Sequence, residues 1–329
     1  MSERYGAADG LVRVYPASTA TDAAASGPTP ALVWAHGGGF VAGDLDMPEA
    51  DWVARSLAER GLTVVSVDYR LAGDGCRYPA PSDDVLAAWR WTLAHADELG
   101  VDPARTAVGG ASAGANLVAG AVLRLLEVEE RPTQEDASRN QKAPRWRFRD
   151  GAGAPPQPAD TLPAGVFLAY PTLLAVQPAP DAALRALLDA NPAADRFDPA
   201  SVRAMYEGYL GGPVDDAPLP VVPGRAAASD LAGFPPVLMI NGEADELRVS
   251  GELFAATLAE AGVALELHVE PGTEHGHLNR PGEPAASDSI ERVVRWIGGL
   301  ETPTASAPRP ADGRQTTQTT LRITEGITP

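Results

Sequence analysis

Short runs of apolar residues punctuate the chain, and the segments between them carry apolar positions at helical spacing. Leu11–Tyr15, Ala31–Ala35, Thr63–Asp68, Thr106–Gly109, Gly165–Tyr170, Val237–Asn241 and Leu265–Val269 have the length of strands. Several are apolar almost without a break, as strands buried on both faces of a parallel sheet are. Between them, Glu49–Arg60, Asp83–Leu99, Ala115–Leu126 and Gly251–Ala261 read as helices. Gly61, Gly100 and Gly262 directly follow three of these, where a left-handed C-cap favours glycine. Strand alternating with helix in this way predicts an open, mostly parallel α/β sheet covered by helices on both faces.

Three segments interrupt that rhythm. Glu127–Asp160 is polar and proline-punctuated, with Arg139, Lys142, Arg145, Arg147 and Arg149 interleaved with Trp146 and Phe148, and reads as a solvated insertion. Leu173–Gly233 holds short helical pieces, Asp181–Leu188 and Ser201–Leu210, among proline-rich links, and falls between two core strands, where a lid would be inserted. Thr302–Pro329 has the composition of a disordered tail, although Thr320–Thr324 has the makings of a short strand. The expected organisation is a single domain over 1–301, with 127–160 and 173–233 as insertions and 302–329 as a tail.

Composition narrows the partners. A hydrophobic fraction of 44% suits a globular chain, and 31 prolines and 33 glycines imply many turns. The net charge of −18 disfavours nucleic acid and anionic membranes, which both call for a basic surface. A lone cysteine, Cys76, excludes an intramolecular disulfide and a cysteine-based metal site. With neither an apolar signal core at the N-terminus nor a run of about 18 apolar residues, a cytoplasmic protein is expected.

The candidate chemistry centres on Gly110-Ala111-Ser112-Ala113-Gly114, between the Thr106–Gly109 run and the Ala115–Leu126 helix. A strand, Gly-x-Ser-x-Gly and a helix in succession is the context of a nucleophile elbow, in which small flanking residues let a sharp turn expose the serine hydroxyl. Such a serine needs a base, an acid to orient that base, and donors for the developing oxyanion. Of five histidines, His275 and His277 follow the last core strand, and His275 is the preferred base; His277 reads better as structural. Asp245, just past Val237–Asn241, is the preferred acid, with Glu243 and Glu246 as nearby competitors. The order Ser…Asp…His is that of an α/β-hydrolase sheet. The loop His36-Gly37-Gly38-Gly39-Phe40 leaves backbone N–H groups uncovered, and Ala113 N–H supplies one more donor.

These residues together resemble the hormone-sensitive-lipase family of α/β-hydrolase esterases. The resemblance runs from Val33 to Leu278 and rests on His36–Phe40, Asp68-Tyr69-Arg70-Leu71-Ala72, Tyr78-Pro79-Ala80-Pro81 with Asp84, Gly110–Gly114, Asp245-Glu246-Leu247-Arg248 and His275-Gly276. It implies an α/β-hydrolase fold with a small helical lid and no metal or cofactor. It implies Ser112 as nucleophile, His275 as base, Asp245 as orienting acid, and Gly38, Gly39 and Ala113 N–H as the oxyanion hole. His36, Gly37, Gly110 and Gly114 support the two loops. Departures from the family are Ala111 where Asp is frequent, Gly73 where Pro is usual, and His277 where Phe is usual, a change that either alters the pocket wall or competes in hydrogen bonding. The family's N-terminal helical cap has no counterpart before Leu11, so a more open acyl pocket is expected.

The function expected is a serine carboxylesterase acting on small or short-acyl esters through an acyl-enzyme. An amidase, deacetylase or acyltransferase on the same triad stays open, as does a non-catalytic ligand-binding module on a hydrolase scaffold. The partner expected is a small-molecule ester. Nucleic acid and membrane are not expected, and a homo-oligomer stays open.

Overall fold

The computed structural model describes residues 3–18, 27–129, 161–300 and 322–323. Most of the expected Glu127–Asp160 insertion and Thr302–Pro329 tail therefore lies outside the described residues. Among the described residues nine strands form one sheet in the order β1-β2-β4-β3-β5-β6-β7-β8-β9. They are β1 (Tyr5–Ala7), β2 (Val12–Tyr15), β3 (Thr29–Ala35), β4 (Thr63–Val67), β5 (Val101–Ala111), β6 (Val166–Ala169), β7 (Val237–Ala244), β8 (Leu265–Glu274) and β9 (Arg322–Ile323). β1 and β2 pair antiparallel at one edge, and every pairing from β4 to β9 is parallel. At the other edge β9 uses two residues of the Thr320–Thr324 run, Glu266 pairing with Arg322 and Leu267 with Ile323.

Side-chain alternation along the central strands divides the core in two. Val33, Ala35, Val65, Val67, Val108, Leu168, Val237 and Met239 face one layer. It is covered by α2 (Ala80–Ala94), α4 (Ala113–Glu129) and α7 (Arg248–Glu260). Leu32, Trp34, Val64, Ala107, Phe167, Leu238 and Ile240 face the other, under α1 (Pro48–Ala58) and α8 (Pro284–Gly298). The unbroken apolar runs of the sequence are these two interleaved sets, each strand feeding both layers.

Several elements differ from expectation. The Asp83–Leu99 helix is two pieces, because α2 stops at His95, whose ring Nδ1–H donates to Trp91 O at 2.8 Å, before α3 (Ala96–Leu99). α8 was not foreseen, although Ile290, Val293 and Ile297 mark one buried face of it. β7 and β8 run on to Ala244 and Glu274, past the apolar residues, because the backbone ladder continues after the side chains turn polar. Between β6 and β7, the Leu173–Gly233 stretch carries α5 (Ala182–Ala190) and α6 (Pro199–Leu210), both N-capped by an aspartate, Asp181 and Asp198. No helix among the described residues is long and apolar enough to cross a membrane.

Candidate active site

β5 delivers Ser112 at its carboxyl end, one residue before α4 begins. The serine has φ +52°, a left-handed conformation that a side chain tolerates only where its surroundings enforce it. Its N–H donates to Ala169 O of β6 at 2.9 Å. The flanking glycines are sterically required. A Cβ on Gly110 would lie 2.4 Å from Gly114 O, and one on Gly114 would lie 2.3 Å from both Ala35 O and His36 O. Ala111 is fully buried among apolar residues of the α1/α8 layer.

The ends of β7 and β8 bring the other two groups to this point. Ser112 Oγ–H donates to His275 Nε2 at 2.9 Å, and His275 Nδ1–H donates to Asp245 Oδ2 at 2.8 Å. Asp245 is fully buried, and its second oxygen accepts the N–H of Leu247 at 2.9 Å. The competing carboxylates are engaged elsewhere. Glu243 accepts the N–H of Gly272, and Glu246 accepts the N–H groups of Arg196 and Phe197 at 2.7 and 2.5 Å. Burial is the largest cause holding the Glu246 carboxyl above the ordinary range, against those two N–H donors.

The glycine loop lies against the serine. A Cβ on Gly37 would come within 3.2 Å of Ser112 Cβ. Gly38 and Gly39 have positive φ, +121° and +61°, and Val41 and Ala42 N–H close the turn onto Gly38 O. Ala113 opens α4, where the first N–H groups have no intrahelical acceptor. His36 braces this loop from inside. It is fully buried, stacks on Tyr69 at 4.4 Å, and donates from Nδ1 to Gly37 O at 2.7 Å.

His277 lies in the interior, in keeping with its structural reading. It forms no pocket wall but is fully buried, its Nε2 2.9 Å from Ser289 Oγ of α8, with its ring edge-on to Tyr170 at 5.1 Å. Two residues after His275 the chain has turned inward, and burial pushes the His277 imidazole down to about 3. Three contacts were not foreseen from sequence. Phe197 lies edge-on to His275 at 4.6 Å, Arg196 donates to His275 O at 3.2 Å, and Tyr170 lies edge-on to the same imidazole at 5.1 Å. The first two come from the Leu173–Gly233 stretch, whose pattern signalled helices but not which site they cover.

A serine on a strand–helix elbow, joined to a histidine and an aspartate from the next strand ends, defines an α/β-hydrolase. A family model described as alpha/beta hydrolase fold matches residues 32–279. The carboxylesterase NlhH of Mycobacterium tuberculosis is 36% identical over 270 residues, covering 80% of this chain and 71% of that protein. Among solved structures, a bacterial heroin esterase superposes with TM-score 0.63 at 31% identity, covering 88% of this chain and 79% of that one. Brefeldin A esterase, a bacterial homologue of human hormone-sensitive lipase, shares the fold at TM-score 0.64 and 24% identity, covering 90% and 75%. The chain belongs to the α/β-hydrolase fold family and is a carboxylic ester hydrolase.

Proposed function

We propose that Ser112, His275 and Asp245 are the catalytic triad and that the substrates are small or short-acyl carboxylic esters. The observation that carries the reading is the unbroken chain from Ser112 Oγ through both nitrogens of His275 to Asp245, at 2.9 and 2.8 Å. Asp245 fixes the tautomer with the proton on Nδ1, which leaves Nε2 free to take the serine proton. Ser112 Oγ attacks the ester carbonyl, and His275 becomes an imidazolium stabilised by the Asp245 carboxylate. Gly38, Gly39 and Ala113 N–H receive the oxyanion, a group of donors of which one is typically worth about 2.7–4 kcal/mol. His275 then protonates the leaving alcohol, and in the second half it activates the water that frees the acid from Ser112.

Against the more open pocket expected without an N-terminal cap, Phe197 and Met205 lie close over the proposed reacting atoms, which supports short acyl groups. Phe197 rests on His275, and Met205 Sδ of α6 lies 3.3 Å from where a Gly39 Cβ would be. We take 1–301 as one hydrolase domain with 173–233 as its lid, in a cytoplasmic setting where Cys76 stays reduced. Turnover of p-nitrophenyl acetate, butyrate and laurate by wild type and Ser112→Ala tests the reading. Ser112→Ala is expected to lose at least about 10³-fold in rate, with acetate and butyrate preferred over laurate by wild type. Equal turnover by the two proteins would remove Ser112 from the mechanism.

A further inference from the structure

Glu49 occupies a position where a carboxylate is costly. It stands in the first turn of α1 on the stripe that Val53 and Leu57 continue at four-residue steps, and all three are buried. An acid in a helix's first turn ordinarily serves the helix dipole from the surface. This one is 2% exposed, and an ionised carboxyl in that setting is tolerated only when hydrogen bonds replace its water.

Three donors do so, and each comes from a different part of the site. Gly37 N–H, from the oxyanion loop, donates to Oε1 at 2.5 Å. Tyr170 O–H donates to Oε2 at 2.5 Å, and its ring is the one lying edge-on to His275. Asn279 Nδ2–H donates to Oε2 at 2.9 Å, from the turn that follows His275. Asn279 also returns a bond, its Oδ1 accepting Glu49 N–H at 3.3 Å. A carboxylate is the one side-chain group that accepts all three at once, because an amide in its place turns an N–H donor toward at least one of them.

We infer that Glu49 is a positioning residue for ester hydrolysis: its carboxylate sets the oxyanion loop, through Gly37, in register with the His275 loop and the Tyr170 ring. The inference rests on the triad reading given above. Gly37 immediately precedes the two proposed donors, so a shift at its N–H moves them off the line of the forming C–O⁻. Misplacement of about 1 Å at such a site costs on the order of 10²-fold in rate.

The test compares Glu49→Gln with Tyr170→Phe and Val53→Ala. Glu49→Gln is expected to lower kcat about 10–100-fold with KM changed less than about 2-fold. It should weaken inhibition by a trifluoromethyl ketone, whose hemiketal oxyanion occupies the oxyanion hole, by the same factor as kcat/KM. Tyr170→Phe keeps the ring against His275 and removes one of the three donors, so it should show the same pattern at smaller size. Val53→Ala, on the same helix stripe, should lower the unfolding temperature while leaving turnover per folded molecule unchanged. The inference is overturned if Glu49→Gln and Tyr170→Phe lower only the unfolding temperature, as Val53→Ala does, with kcat and ketone affinity intact. If Ser112→Ala still turns over substrate, it is the triad reading that fails instead.

Discussion

His275 and His277 stand two residues apart and meet opposite environments. His275 reaches the serine, whereas His277 is sealed between Tyr170 and Ser289 of α8. The neutral form of His277 is the one that fits, and its imidazole is pushed down to about 3 from an ordinary value near 6.5, chiefly by burial. The folded state thus refuses a proton that the unfolded chain accepts below about pH 6.5. Stability tied to this residue is fully present above pH 6.5 and is lost progressively as the pH falls toward 3. Between pH 7 and pH 5 the loss is about 2 kcal/mol. His277→Phe removes that proton uptake, so urea unfolding at the two pH values should show a difference smaller by about that amount. An unchanged difference would mean that the native protein accommodates the imidazolium. The adjacent roles also mark what the sequence reveals at this scale. Ser112, Asp245 and His275 are legible because each follows the end of an apolar run. The inward turn of His277 and the buried carboxylate of Glu49 depend on packing against α8 and β6, which local pattern does not encode.

At the scale of elements, the junction of β5 and α4 has the least tolerance. Gly114 lets α4 start in contact with the backbone of β3, and an added methyl would stand 2.3 Å from two carbonyl oxygens that cannot rotate away. Gly208, inside α6, has nothing within 4 Å of the same imagined methyl. Gly114→Ala is expected to destabilise by about 1–3 kcal/mol or more and to suppress esterase activity. Gly208→Ala should stabilise by roughly 0.5–1 kcal/mol, since alanine is the better helix former. Chemical denaturation of the pair decides it: comparable midpoints would show that the elbow can widen. The glycines were readable as a motif, and the clash that explains them requires β3 beside β5, a long-range pairing. α8 shows the reverse case. Its Ile290, Val293 and Ile297 spacing carries the helical signal locally.

For the molecule as a whole, alternation predicts a parallel sheet with two covered faces, but not the order of its strands. That order is set by which edges meet, and it puts β5 between β3 and β6 in the middle of nine strands, with β1 and β9 at the rims. The Leu173–Gly233 stretch differs in kind. α5 rests on a small cluster of Leu184, Leu188 and Ala194 with Ala244 and Val249, apart from the two large core layers. The amide of Ser112 is itself a rung of the sheet, bonded to Ala169 O. Backbone amides exchange with solvent only when their bonds open, and central rungs open only as the whole fold does. In deuterated buffer the Ser112 peptide should therefore stay protected to the free energy of global unfolding, while α5 exchanges through cheap local openings. If the two exchange alike, that stretch and the sheet are one cooperative unit. If they separate, the stretch over the site moves on its own, above a serine held as firmly as the fold itself.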